Sequence, residues 1–144
     1  MIALTEKGTE SVKHSLRVLA ATCATLGTVV IAGPAYAGSY NGVCESSNGG
    51  EVCLHKENDI NSAVYDTLYS KTSYAGSTFY GTSTPIDNNT GGAENKDPDN
   101  SVKLFSGQNY TGISLSVASG HSVGYLKSYY SVSSHCFTSN TACP

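Results

Sequence analysis

Beyond residue 37 the chain places apolar side chains in short alternating runs broken by Gly, Asn, Asp, Ser and Pro, and no segment sustains a 3.6-residue apolar period. The alternation predicts strands over 51–56, 63–69, 77–80, 101–105, 113–117, 122–126 and 133–138. Seven short strands separated by turn signals predict an all-β sandwich of Greek keys. Residues 83–100 are nearly free of apolar side chains and read as a polar connector between a first half, about 44–82, and a second, about 101–138.

The halves repeat one another. Residues 52–65 and 102–115 align fifty positions apart, with Val52 matching Val102, Leu54 matching Leu104, and similar chemistry at Asn58 and Gln108, Asp59 and Asn109, Ile60 and Tyr110, Ser62 and Gly112. Two copies are too few for a solenoid, so they imply a pseudo-symmetric pair of β-units packed over one core, with function on the loops.

Residues 1–37 read as a cleavable export signal: Lys7, Lys13 and Arg17 precede an apolar run over 18–32, and Ala35, Tyr36 and Ala37 supply a small-residue cleavage site. The run is about 15 residues, short of the roughly 20 needed to span a bilayer. It continues past Cys23, against lipidation there. Export leaves a single domain over 38–144, and its expected location is extracellular. That domain carries five lysines, no arginine and nine carboxylates, for a formal charge of −4. Lacking a bidentate cation and carrying an acidic balance, it is expected to bind neither nucleic acid nor a membrane surface.

Four cysteines remain, Cys44, Cys53, Cys136 and Cys143, and an even number in an oxidising compartment implies two disulfides. Three pairings are possible. Cys44 with Cys53 and Cys136 with Cys143 are favoured, because each pair closes a short polar loop of turn-forming residues. The spacings of nine and seven are too wide for zinc knuckles, which use two to four intervening residues. The histidines His55, His121 and His135 match no helical metal motif, Gly-x-Ser-x-Gly is absent, and Asp97 and Asp99 flank Pro98 in the polar segment. No catalytic set emerges, and the chain is expected not to be an enzyme.

In the second copy Phe105, Tyr110 and Gly112 are spaced as aromatic, four residues, aromatic, one residue, glycine. This spacing resembles the folded-hairpin signature of βγ-crystallins, whose glycine takes a conformation closed to residues with a Cβ. With export and short-range cysteine pairs, residues 44–137 most resemble the secreted actinobacterial peptidase inhibitors of βγ-crystallin type, the family of the streptomycete metalloproteinase inhibitor. The resemblance implies a βγ-crystallin-like sandwich of two Greek keys. The first copy departs from it: His55 and Ile60 stand where aromatics are expected and Ser62 replaces glycine, so its hairpin is expected to be distorted.

The superfamily's calcium signature is eroded as well. The first half keeps Asp87 and Asn88 without the serine hydroxyl, and the second keeps Ser133 but has Tyr129 and Tyr130 in place of the acidic pair. Asp87, Asn88 and Ser133 are the calcium candidates, and no other cofactor is expected.

The resemblance implies a monomeric inhibitor of a secreted peptidase, a metalloprotease by the family's pattern. Its inhibitory loop is expected at Cys136, Phe137, Thr138, Ser139 and Asn140, with Phe137 beside the bridge as the apolar anchor. The alternative is a non-inhibitory crystallin-like structural or interaction protein, or a toxin-like one.

Overall fold

The two copies become two antiparallel hairpins in register with the repeat. The first pairs β1 (Val52–His55) with β2 (Val64–Thr67), and the second pairs β4 (Val102–Phe105) with β5 (Ser114–Val117), each strand fifty residues from its counterpart. The computed structural model describes residues 38–144, so the expected export signal, with Cys23, lies outside the described residues.

β3 (Gly92–Asn95), β6 (Ser122–Val123) and β7 (Ser134–Phe137) complete two sheets, one ordered β2-β1-β3-β6 and the other β5-β4-β7. The halves exchange pieces. β6 from the second half pairs with β3, and residues 71–74 from the first half run beside β7, with Lys71 N to His135 O at 2.9 Å and Tyr74 N to Ser133 O at 2.9 Å. Between the sheets lies one core in which Val52, Leu54, Ala93, Val102, Leu104, Val117 and Phe137 meet Tyr74, Phe79, Ile86, Leu126 and Val132.

The expected polar connector at 83–100 is corrected here, because it contains β3, which is paired on both sides at the centre of the first sheet. Only Ala93 and Asn95 face the core from this strand. The Asn95 amide is neutralised there by donating to Asn100 O at 2.8 Å and Val117 O at 3.0 Å. The entry to the strand stays small because another loop lies on it: a Cβ on Gly91, the residue before β3, would overlap the Glu57 backbone.

Residues 77–80, expected as a strand, form only an irregular pairing with residues 84–86, through a single bridge between Thr78 and Pro85, Ile86 N to Ser77 O at 3.0 Å and Phe79 N to Thr84 O at 3.1 Å. The expected strand over 122–126 ends at Val123. Tyr125 adopts a left-handed φ of 59° and starts a one-turn helix, α1 (Leu126–Tyr129), that drops Leu126 into the core.

Both favoured bridges are present, Cys44–Cys53 with Cα atoms 5.8 Å apart and Cys136–Cys143 with 5.6 Å. The first ties a strap of residues 39–44 over the outer face of the first sheet. Asp66 holds the strap by accepting from Asn41 N at 2.8 Å and Gly42 N at 2.9 Å.

Candidate functional site

The expected inhibitory loop is closed by its bridge, but its anchor points the wrong way. Phe137 is 5 % exposed, sits opposite Val102 and packs its ring 5.9 Å from that of His135 in the core. Phe137 therefore cannot enter a partner's pocket without unpacking the domain. Cys136 is buried too, which leaves Thr138 and Ser139 exposed and Asn140 half-buried, folded into a turn by Asn140 N to Phe137 O and Cys143 N to Asn140 O, both 2.9 Å. A large apolar residue next to a bridge reads equally well as anchor or as strand end, and here the ladder of β7 decides.

The calcium candidates do come together. Ser133 Oγ donates to Asp87 Oδ1 at 2.6 Å, and Asn88, at a left-handed φ of 61°, donates its backbone N to Val132 O at 3.3 Å. The side chains joined here supply one carboxylate and one hydroxyl, already bonded to one another, against the six to eight oxygens calcium takes.

Of the three histidines, His121 is exposed and bonded through Nδ1 to Ser119 O at 2.8 Å. His135 is fully buried, stacked 5.6 Å from the Tyr74 ring, with the Tyr74 hydroxyl on its Nδ1. Burial pushes the His135 imidazole down to about 3, so it is neutral.

His55 is where the first copy's departures converge. In the second copy the rings of Phe105 and Tyr110 lie 5.7 Å apart, Gly112 sits at φ 81°, and Ser134 Oγ braces the turn by accepting from Tyr110 N at 3.1 Å. In the first copy no residue of the turn 56–63 takes a positive φ. There Ser62 Oγ accepts from Glu57 N at 3.0 Å and donates to Asp59 O at 2.6 Å, while Asp59 Oδ1 accepts from Asn61 N at 2.9 Å. No aromatic folds back onto the strand, and Ile60 is left 65 % exposed at the tip.

Beneath this tip is a cleft of about 230 Å³ bounded by Glu57, Asn58, Ile60, Tyr125 and the floor residues His55 and Glu94. His55 Nε2 and Glu94 Oε1 are 3.0 Å apart, and Lys96 Nζ is 2.6 Å from Glu94 Oε2. Burial lowers the proton affinity of His55, and the Glu94 carboxylate opposes that effect.

The hairpin is fastened across the cleft. Asn58 Oδ1 accepts from Tyr125 N at 2.7 Å, and Lys127 Nζ contacts Glu57 Oε1 at 3.1 Å. Gly124 permits this fastening, since a Cβ there would overlap Asn58 Oδ1. Sequence reasoning singled out His55, Ile60 and Ser62 as departures. It missed Glu94 on β3, Lys96 just beyond it and Tyr125 between β6 and α1, which are distant in sequence from His55 and carry no local signal.

No protein-family model matches the chain, and no curated protein matches it. Among solved structures, it is similar to a βγ-crystallin domain from work on the evolution of the eye-lens βγ-crystallin domain fold. The TM-score is 0.55 at 14 % identity, over 67 % of this chain and 93 % of that one. The fold is the βγ-crystallin fold.

Proposed function

On this disulfide-braced βγ-crystallin fold, we propose an exported, non-catalytic binding protein that blocks a secreted peptidase, with the first-copy hairpin tip rather than the 136–143 loop as the inserted element. The observation that carries the reading is Ile60, 65 % exposed at the tip of a turn locked from both sides. Asp59 and Ser62 hold the turn internally, and Asn58 and Glu57 tether it to Tyr125 and Lys127. A turn held in its bound shape before binding avoids the ordering cost of association, and an apolar anchor supplies the desolvated contact that dominates such interfaces. The same tethers would hold the two ends together after a cut, so that the partner gains little by cleaving. The two disulfides suit an oxidising compartment, and among the described residues no helix is long and apolar enough to cross a membrane.

The test is a titration of the oxidised protein against secreted metallo- and serine peptidases. Inhibition at near-equal concentrations that is lost in Ile60→Gly and retained in Thr138→Gly supports the assignment. Retention in Ile60→Gly, or no inhibition of any class, refutes it.

A second reading, an interaction module without a peptidase target, is favoured by a tyrosine cluster at the strap. The rings of Tyr65 and Tyr80 each lie 5.4 Å from that of Tyr40, and Tyr40 and Tyr80 are both exposed. Loss of partner capture in Tyr80→Ala, with peptidases unaffected by the parent protein, would select it.

A further inference from the structure

The floor of the cleft continues into the Cys44–Cys53 bridge. Cys53 and Glu94 sit opposite one another on β1 and β3, His55 follows Cys53 by two residues on the same outer face, and Cys44 is bonded to Cys53. One imidazole nitrogen of His55, one carboxylate oxygen of Glu94 and Cys44 Sγ all lie within 4.8 Å of one another. His55 is only 2 % exposed, and its Nδ1 has no hydrogen-bond partner among the described residues.

We propose that opening the Cys44–Cys53 bridge converts this cluster into a zinc(II) site with Cys44, Cys53, His55 and Glu94 as its four ligands. With the bridge closed, neither sulfur is a thiolate, and a metal would find one imidazole and one carboxylate. With it open, the set is two thiolates, an imidazole and a carboxylate, which are the donors zinc takes in four-coordinate sites. Bond lengths of that chemistry place tetrahedral donors about 3.3 to 3.8 Å apart, so the three donors from Cys44, His55 and Glu94, now within 4.8 Å, need to close by about 1 Å, while the Cys53 sulfur, freed from its bond, moves away from Cys44 Sγ to that spacing.

Charge is compensated locally. Two thiolates and a carboxylate around a dication leave one negative charge, beside Lys96, whose Nζ already holds the second oxygen of Glu94 at 2.6 Å. Four cysteines spaced nine and seven apart do not suit zinc knuckles, but a sheet face can gather donors that spacing does not.

A water-soluble phosphine serves as the reductant. Phosphorus attacks one sulfur and the S–S bond breaks. Water delivers oxygen to phosphorus and protons to the sulfurs, giving a phosphine oxide and two thiols. Zinc binding then releases two thiol protons to solvent.

The test uses the full chain carrying Cys23→Ser, Cys136→Ser and Cys143→Ser, so that the only thiols come from Cys44 and Cys53. Zinc binding is followed by competition with a chromophoric chelator, and cobalt(II) is used to report thiolate ligation through its charge-transfer absorption. After phosphine treatment, one zinc per chain and a cobalt–thiolate band are expected, and neither is expected before it. His55→Ala and Glu94→Gln should each weaken zinc by more than about tenfold. If the reduced chain loses structure without metal, zinc should restore its far-ultraviolet circular dichroism in the parent and not in His55→Ala. Equal affinity in all variants would show that free thiols alone capture the metal and would overturn the site, as would the absence of a cobalt–thiolate band in the reduced parent.

Discussion

His55 holds the place in the first copy that Phe105 holds in the second, and the exchange of a ring that packs against another ring for one that hydrogen-bonds opens the cleft. Phe105 packs against Tyr110, whereas His55 turns its Nε2 to Glu94 and leaves Ile60 standing free. The polar pair is enclosed, so its satisfaction matters more than its nominal charge.

Glu94→Gln keeps the shape but weakens the bonds to both His55 and Lys96. Loss of a buried charge-assisted bond costs about 1 to 3 kcal/mol. Urea unfolding followed by tyrosine fluorescence should show a lower midpoint at an unchanged slope, whereas Glu57→Gln, an exposed partner of Lys127, should shift it little.

Gly91→Ala tests whether the hairpin rests on β3. Its Cβ would overlap the Glu57 backbone, so the turn must lift, at a cost of about 1 to 3 kcal/mol. Gly120, at φ 70° with open space around it, carries only the left-handed penalty, so Gly120→Ala should cost about 1 kcal/mol. Equal losses in thermal melts of the two variants would show that the turn does not bear on the strand.

The bridges close loops of similar length, so Cys44→Ser with Cys53→Ser and Cys136→Ser with Cys143→Ser should each lower stability by roughly 2 to 3 kcal/mol. Their local consequences differ. Only the first pair frees the strap, so only there should the amides of Asn41 and Gly42, now held by Asp66, lose protection in hydrogen exchange.

Strands β1, β2, β4 and β5 were legible because Val52 and Leu54, and Val102 and Leu104, alternate over a buried face and the repeat doubles the signal. β3 was not legible, since Gly92, Ala93, Glu94 and Asn95 hold the sheet's centre through backbone pairing and one satisfied amide. For the same reason half of the candidate site stayed hidden. His55 and Ile60 stood out as departures from a pattern, but Glu94 lay in a stretch that reads as solvated chain. Phe137 shows the converse, because an apolar residue in a bridged loop carries no mark of which way it faces.

Two buried groups set opposite pH dependences. Burial, opposed by the Glu45 backbone and aided by the Asp66 and Glu45 carboxylates, raises the Glu51 carboxyl from 4.5 to about 7, so between those values the folded state holds a proton that the unfolded state has released. Stability from this group is therefore full below pH 4.5, declines as pH rises towards 7 and then levels. Burial lowers His135 from 6.5 to about 3, so between those values the unfolded state binds the extra proton and stability is lost as pH falls. In the interval from 4.5 to 6.5 the two slopes oppose, and the parent's unfolding free energy should vary weakly there. Glu51→Gln removes the falling limb. Its stability should climb with pH across that interval and exceed the parent's above pH 7, as measured by urea titrations at closely spaced pH values. A parallel pair of curves would mean that Glu51 ionises in the folded protein as it does in the unfolded chain.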